Sequence, residues 1–241
     1  MADASSHFPA TRWTLLQTLR EGTEADVKTA LEALCKAYWS PLYIVARQSG
    51  LSAHDAEDSV QGFFESVLEH EALLKADQSL GKLRSFLLIA YERYRIKVWR
   101  SKTALKRGAG VEPVSFSSVD GAEERFLQIA SEGADIETLY NREWARSVLE
   151  RSLAALRLDY VSQGQEERFG LFIVYLTQAV NDETLAQAAV KNGMSYAAFR
   201  QSVFRLRRSY RSRIEDELAL TLGTRDAHVI RQEMMELFKA F

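Results

Sequence analysis

Residues 182–211, DETLAQAAVKNGMSYAAFRQSVFRLRRSYR, contain the pattern that decides the fold of the second half of the chain. The first part predicts a helix that ends at Asn192-Gly193, and Ser195 begins a second helix. Ala189 stands four residues before Gly193. A small side chain there lets two helices pack closely, and glycine tolerates the positive φ of a tight turn. This spacing predicts a helix-turn-helix.

The second of these helices is amphipathic. At about 100° per residue, one narrow stripe contains Phe199, Val203, Leu206 and Tyr210, which predicts a core-facing side. A helix anchored on one side can present donors from the other side to base edges in the major groove. The candidate DNA-contacting residues are Ser195, Tyr196, Ala197, Arg200, Gln201, Phe204, Arg205 and Arg208. Phe204 could contact a thymine methyl group or pack on another domain, and an ordinary solvated helical hairpin is the alternative interpretation.

Charge is strongly segregated along the chain, although the formal net charge is only −2. Residues 184–214 contain seven Lys or Arg and no acid, and residues 82–107 contain nine Lys or Arg and one acid. Residues 55–77 contain seven acids and one lysine. Such segregation indicates surfaces that bind charged partners, and the basic segments favour nucleic acid.

The basic segment 82–107 also contains interleaved aromatic residues. Cations bind phosphates, and aromatic faces stack on unpaired bases. The spacing of Phe86 and Tyr94 is that of a core stripe, whereas Tyr91 and Trp99 fall outside it and are better candidates for contact. The candidate residues here are Arg84, Tyr91, Arg93, Lys97, Trp99, Arg100, Lys102, Lys106 and Arg107.

Upstream of this segment, apolar periodicity predicts further helices. One spans about 24–48, with Pro41 expected to end or kink it, and another spans about 53–69 after the capping residue Ser52. Gly and Pro are few, at 12 and 3 of 241 residues, and no stretch alternates with period two. We therefore expect an all-α protein of two helical domains joined by a flexible linker.

Several functional classes are disfavoured by the sequence. There is no apolar run of the roughly 20 residues that span a bilayer and no secretory leader pattern, so a cytoplasmic location is expected. The single cysteine, Cys35, lies on an apolar helical stripe, and the four histidines are scattered. No phosphate loop, metalloprotease motif or nucleophile elbow occurs. We expect no enzyme activity, no metal and no cofactor.

Three blocks in this order resemble the extracytoplasmic-function group of bacterial sigma factors. AYWSPLYIVARQSGLSAHDAEDSVQGFFESVLE (37–69) resembles the family's polymerase-docking block, KLRSFLLIAYERYRIKVWRSKTALKRG (82–108) its minus-ten block, and 182–211 its minus-thirty-five helix-turn-helix. FPATRWTLL (8–16) resembles the start of one subgroup. The resemblance implies domains at 1–108 and 138–222, a linker at 109–137 and an additional tail at 223–241.

The resemblance also implies partners. Core RNA polymerase would bind through its β′ clamp helices and β flap, with double-stranded and melted promoter DNA as the ligand, and an anti-sigma factor would be compatible with this role. The implied polymerase-binding residues are Asp55, Glu57, Asp58, Gln61, Phe64 and Glu65. Arg93 and Lys97 depart from the family, in which many members have Asn and Asp, so base recognition in the minus-ten block is expected to differ.

Two other functions are compatible with the same residues. A polymerase-independent regulator would use the helix-turn-helix as a dimer on palindromic DNA. A helical adaptor would use its basic faces to bind acidic proteins rather than DNA.

Overall fold

The computed structural model describes residues 12–69, 81–104, 121–129, 133–177 and 181–241. Within these residues all regular structure is helical and there is no strand, which confirms the all-α prediction. The helices are α1 (Arg12–Glu21), α2 (Glu24–Gln48), α3 (Ala53–Glu69), α4 (Leu83–Ala104), α5 (Ala122–Ile129), α6 (Ile136–Ser162), α7 (Glu166–Ile173), α8 (Asp182–Lys191), α9 (Tyr196–Leu222) and α10 (Ala227–Lys239).

The chain divides into two compact units. The first comprises Met1–Ser147 and Leu218–Phe241, and the second comprises Val148–Glu217. These borders differ from the predicted ones, because residues 138–147 and the 223–241 tail belong to the first unit. The tail helix α10 buries Ile230, Met234 and Leu237. Its amphipathic sequence predicts a helix but does not specify which surface covers that helix.

Helix α2 is the centre of the first unit and packs against α1, α3, α4 and α5. A capping box starts it, with the Thr23 hydroxyl accepting from the Asp26 backbone N–H and the Asp26 carboxylate accepting from the Thr23 N–H. The expectation that Pro41 ends this helix is wrong, because α2 continues as one helix to Gln48. Every residue from Ala37 to Ala46 is buried, and this packing offsets the cost of about 3 kcal/mol for an internal proline.

Part of the predicted linker belongs to the packed first unit. Helix α5 lies within residues 109–137 and contacts α2 through a polar cluster. The Glu123 carboxylate accepts from the Arg47 guanidinium at 2.8 and 2.9 Å and also from the Tyr43 hydroxyl. These hydrogen bonds, chiefly the one from Arg47, lower the pKa of Glu123. Residues 122–129 are therefore not flexible linker.

Helices α3 and α4 approach each other closely. The Phe63 ring packs edge-on to Tyr91, with ring centroids 5.2 Å apart, and the Tyr91 hydroxyl lies 2.9 Å from the Ser59 hydroxyl. A Cβ added at Gly62 would lie 2.4 Å from the Tyr94 hydroxyl oxygen. Glycine at this position thus leaves room for the Tyr94 hydroxyl against α3.

The second unit has its own apolar core. Side chains from α6, α7, α8 and α9 form one cluster that comprises Leu156, Phe169, Phe172, Leu185, Ala189, Phe199, Val203 and Leu206. The ring of Phe172 contacts that of Phe199 edge-on, with centroids 5.1 Å apart. This cluster holds α9 by one side only.

Candidate nucleic-acid interface

The turn between α8 and α9 has the local geometry that the sequence predicts. The Asn181 side chain caps α8 by accepting from the Thr184 N–H at 2.8 Å. Gly193 has φ +62°, and the N–H groups of Gly193 and Met194 donate to the carbonyls of Val190 and Ala189. These two bonds form a Schellman motif, which ends α8 and frees the chain to begin α9.

The core-facing stripe predicted for α9 is confirmed for three of its four residues. Phe199, Val203 and Leu206 are buried, while Tyr210 is half-buried and donates its hydroxyl to the Leu149 carbonyl at 3.1 Å. The sequence pattern therefore identified the anchored side of this helix correctly.

The opposite side of α9 is exposed. The predicted DNA-contacting residues that are exposed are Ser195, Ala197, Arg200, Gln201, Phe204, Arg205 and Arg208. Ser195 is also the helix cap, since its hydroxyl accepts from the Ala198 N–H at 3.3 Å. Tyr196 is only partly exposed, and its hydroxyl donates to Asp182 at 2.7 Å, so it positions α8 against α9.

The arginines of α9 fall into two groups. Arg211 and Arg213 form ion pairs with Glu215 and Asp159, and Arg207 donates to the Tyr175 carbonyl at 2.9 Å. Arg200, Arg205 and Arg208 form no ion pair with any described residue, and all three belong to the predicted DNA-contacting set. An exposed cation without a carboxylate partner retains its full charge for a phosphate or for a guanine edge.

The acidic helix α3 presents most of its predicted polymerase-binding residues to solvent. Asp55 and Asp58 are exposed, and Glu57, Gln61 and Glu65 are partly exposed. Phe64 requires correction as a polymerase contact, because it is 0% exposed and stacks on Trp39 with ring centroids 6.2 Å apart. Its burial makes it a core residue, so it supports the helix rather than contacting a partner.

Helix α4 exposes four of its predicted DNA contacts, Arg93, Lys97, Trp99 and Arg100, with Trp99 67% exposed. Lys102 lies within the helix, and Lys106 and Arg107 lie outside the described residues. Tyr91 requires correction, because it is 0% exposed and has no ring face available for stacking on a base. Burial raises the pKa of its hydroxyl to about 12.

Arg84 also requires correction as a DNA contact. Its guanidinium lies over the Trp144 ring, 4.2 Å from the centroid, and pairs with the buried carboxylate of Glu233 on α10. Lys82 pairs with the same carboxylate at 2.6 Å. Glu233 was missed at the sequence level, and no local signal could have identified it, since it lies 149 residues from Arg84.

A groove of about 650 Å³ lies between α3 and α4. Asp55 and Asp58 line it from α3, and Arg95, Ile96 and Trp99 line it from α4. Ile96 was not among the predicted site residues, although its position outside the core stripe of α4 was visible in the spacing. The groove lies between the acidic face of α3 and the basic face of α4.

Comparison with models of known protein families, with curated proteins and with solved structures finds no match to this chain. Among the described helices, none is both long and apolar enough to cross a membrane.

Proposed function

We propose that this chain is a sigma-type transcription initiation factor. In this role α3 binds core RNA polymerase, the outer face of α4 contacts the minus-ten region of the promoter, and α9 contacts the minus-thirty-five region in the major groove. The observation that carries the proposal is the division of arginines on α9: three exposed guanidinium groups, those of Arg200, Arg205 and Arg208, form no ion pair with a described residue, whereas Arg211 and Arg213 do.

DNA binding by α9 is supported by the way the helix is held. Its buried residues fix the backbone, and its cap and the preceding turn orient its N-terminal end. Recognition helices of this type contact base edges through their N-terminal residues. Arg200 and Gln201 lie in the first two turns of α9. Their N–H groups can donate hydrogen bonds to the acceptor atoms of guanine and adenine.

A polymerase partner is supported by the acidic helix. The exposed carboxylates of α3 repel DNA, yet the apolar side of the same helix packs on the basic helix α4. A factor held between polymerase and DNA would use both surfaces, because the acidic helix α3 would face the polymerase and the basic helix α4 would face the DNA.

The proposal is tested by transcription in vitro with core polymerase on random promoter fragments, with and without the protein. We expect promoter-dependent transcripts only when the protein is present. Asp58→Lys should abolish co-elution with core polymerase, whereas Glu32→Lys, a charge reversal at an exposed position of α2, should leave it unchanged. Equal co-elution of the two variants would overturn the docking assignment.

The DNA contact is tested separately. Arg200→Ala should cost about 1–3 kcal/mol at one promoter position and little elsewhere. Palindromic footprints without polymerase would instead identify an independent regulator, and protein capture that is insensitive to salt, with no DNA retention, would identify an adaptor.

A further inference from the structure

Phe204 occupies the middle of the exposed face of α9. Its side chain is 64% exposed and is not part of the apolar cluster that anchors the helix. At about 100° per residue it lies roughly opposite the buried stripe, together with Ala197, Gln201 and Arg208. Arg200 and Arg208 stand four residues before and after it, about one helical turn on either side.

Exposure alone does not assign a role to Phe204, because single apolar side chains are common on protein surfaces. Its neighbours are the informative feature. They are the arginines that form no ion pair with a described residue, and Gln201 beside them is also exposed. A bulky ring in the centre of a cationic face limits how closely the phosphate backbone of DNA can approach that face. The same ring fits a groove that offers an apolar group at the matching position.

We propose that Phe204 recognises the 5-methyl group of a thymine in the major groove, with guanine contacted nearby by Arg200 or Arg208. The thymine methyl is the apolar group that a base pair presents in that groove, and apolar side chains contact it directly. This inference rests on the proposed function, since it names what α9 recognises. It makes Phe204 a specificity-determining residue rather than a source of general affinity.

The geometry of α9 favours this role over nonspecific contact. Phe199 and Leu206 are buried on the opposite side, so the backbone at Phe204 is held in a fixed position on the second unit. Discrimination of one methyl group requires such a fixed position. A residue on a loose segment would move away from the groove at no cost.

The test begins with selection of duplex sequences from a random pool by the full-length protein together with core polymerase. Each thymine of the selected duplex is then replaced by deoxyuridine, which removes only the methyl group. One replacement should weaken binding by the wild-type protein about four-fold, the effect of losing burial of one methyl-sized group. Phe204→Ala should bind thymine and uracil duplexes equally, and Phe204→Leu should retain part of the preference.

Leu158→Ala is the matched control, because Leu158 is a 67%-exposed apolar residue on α6 of the same unit. It should keep the full preference for thymine. If a duplex is selected but no replacement alters wild-type binding, the inference about Phe204 is overturned and the proposed function stands. If Phe204→Ala weakens co-elution with polymerase and leaves the thymine preference intact, Phe204 contacts protein and the inference is also overturned. If no duplex is enriched at all, the proposed function itself fails.

Discussion

The buried carboxylate of Glu233 provides the sharpest test of the structure, because it joins the tail helix α10 to the start of α4. Its side chain is 4% exposed and pairs with Arg84, which is 11% exposed, and with Lys82, which is 43% exposed. Glu233→Gln keeps the shape of the side chain and removes its charge. Arg84 then loses the buried carboxylate with which it is directly paired.

The expected cost follows from the two pairs taken separately. Removing one partner of a buried ion pair costs about 3–5 kcal/mol, whereas an exposed pair such as that with Lys82 contributes about 0–1 kcal/mol. Arg84 keeps its contact with the Trp144 ring, which favours the lower end of the range. We expect the free energy of unfolding of the first unit to fall by about 3 kcal/mol. For a unit of this size that lowers Tm by about 6–12 °C.

Urea unfolding followed by circular dichroism measures the change. Glu236→Gln is the control on the same helix: Glu236 pairs with Lys239 at the surface and acts on Lys82 and Arg84 only through longer-range electrostatics, so its neutralisation should leave the free energy of unfolding nearly unchanged. The double variant Arg84→Met with Glu233→Met should be more stable than Glu233→Met alone, because no buried charge remains. If Glu233→Gln and Glu236→Gln have equal stability, Arg84 does not depend on Glu233 and the reasoning is refuted.

Three further changes test other parts of the structure. Gly193→Ala should destabilise the second unit by about 1 kcal/mol in thermal unfolding, because alanine is strained at a φ of +62° even though no atom lies near the added methyl group. Gly170→Ala in α7 is the control and should stabilise the unit slightly. A gain in stability for both variants would contradict the turn geometry. The lowered pKa of Glu123 means that its pairing with Arg47 contributes stability above its ordinary pKa of 4.5, and that this is lost as pH falls through the lower folded value. Glu123→Gln should therefore make acid unfolding, followed by fluorescence, less steep below that pH, and an unchanged profile would argue against the pair. Phe64→Ala should cost about 3–5 kcal/mol by thermal unfolding while polymerase co-elution persists well below Tm; loss of co-elution without loss of stability would return Phe64 to the contact surface.

Local sequence determined the helices and the orientation of the best-defined one. Apolar periodicity located α3 at its observed bounds, and the spacing around Gly193 located the end of α8 and the turn after it, because these features depend on residues within a few positions of one another. The exposed cations of α9 followed from the same periodicity. A helix surface has one inner side, and Phe199, Val203 and Leu206 identify it.

Tertiary structure alone decided which side chains outside the obvious core stripes are buried. Tyr91 and Arg84 are residue types that DNA-binding helices commonly use. In the folded protein α3 covers Tyr91, and Glu233 of α10 neutralises Arg84. Pro41 ends a helix in isolation, but continuous burial from Ala37 to Ala46 keeps α2 intact. Such outcomes depend on partners far away in sequence. Whether a side chain is buried or neutralised depends on the packed chain. Helical periodicity does not indicate which distant helix will bury a side chain or supply its counter-charge.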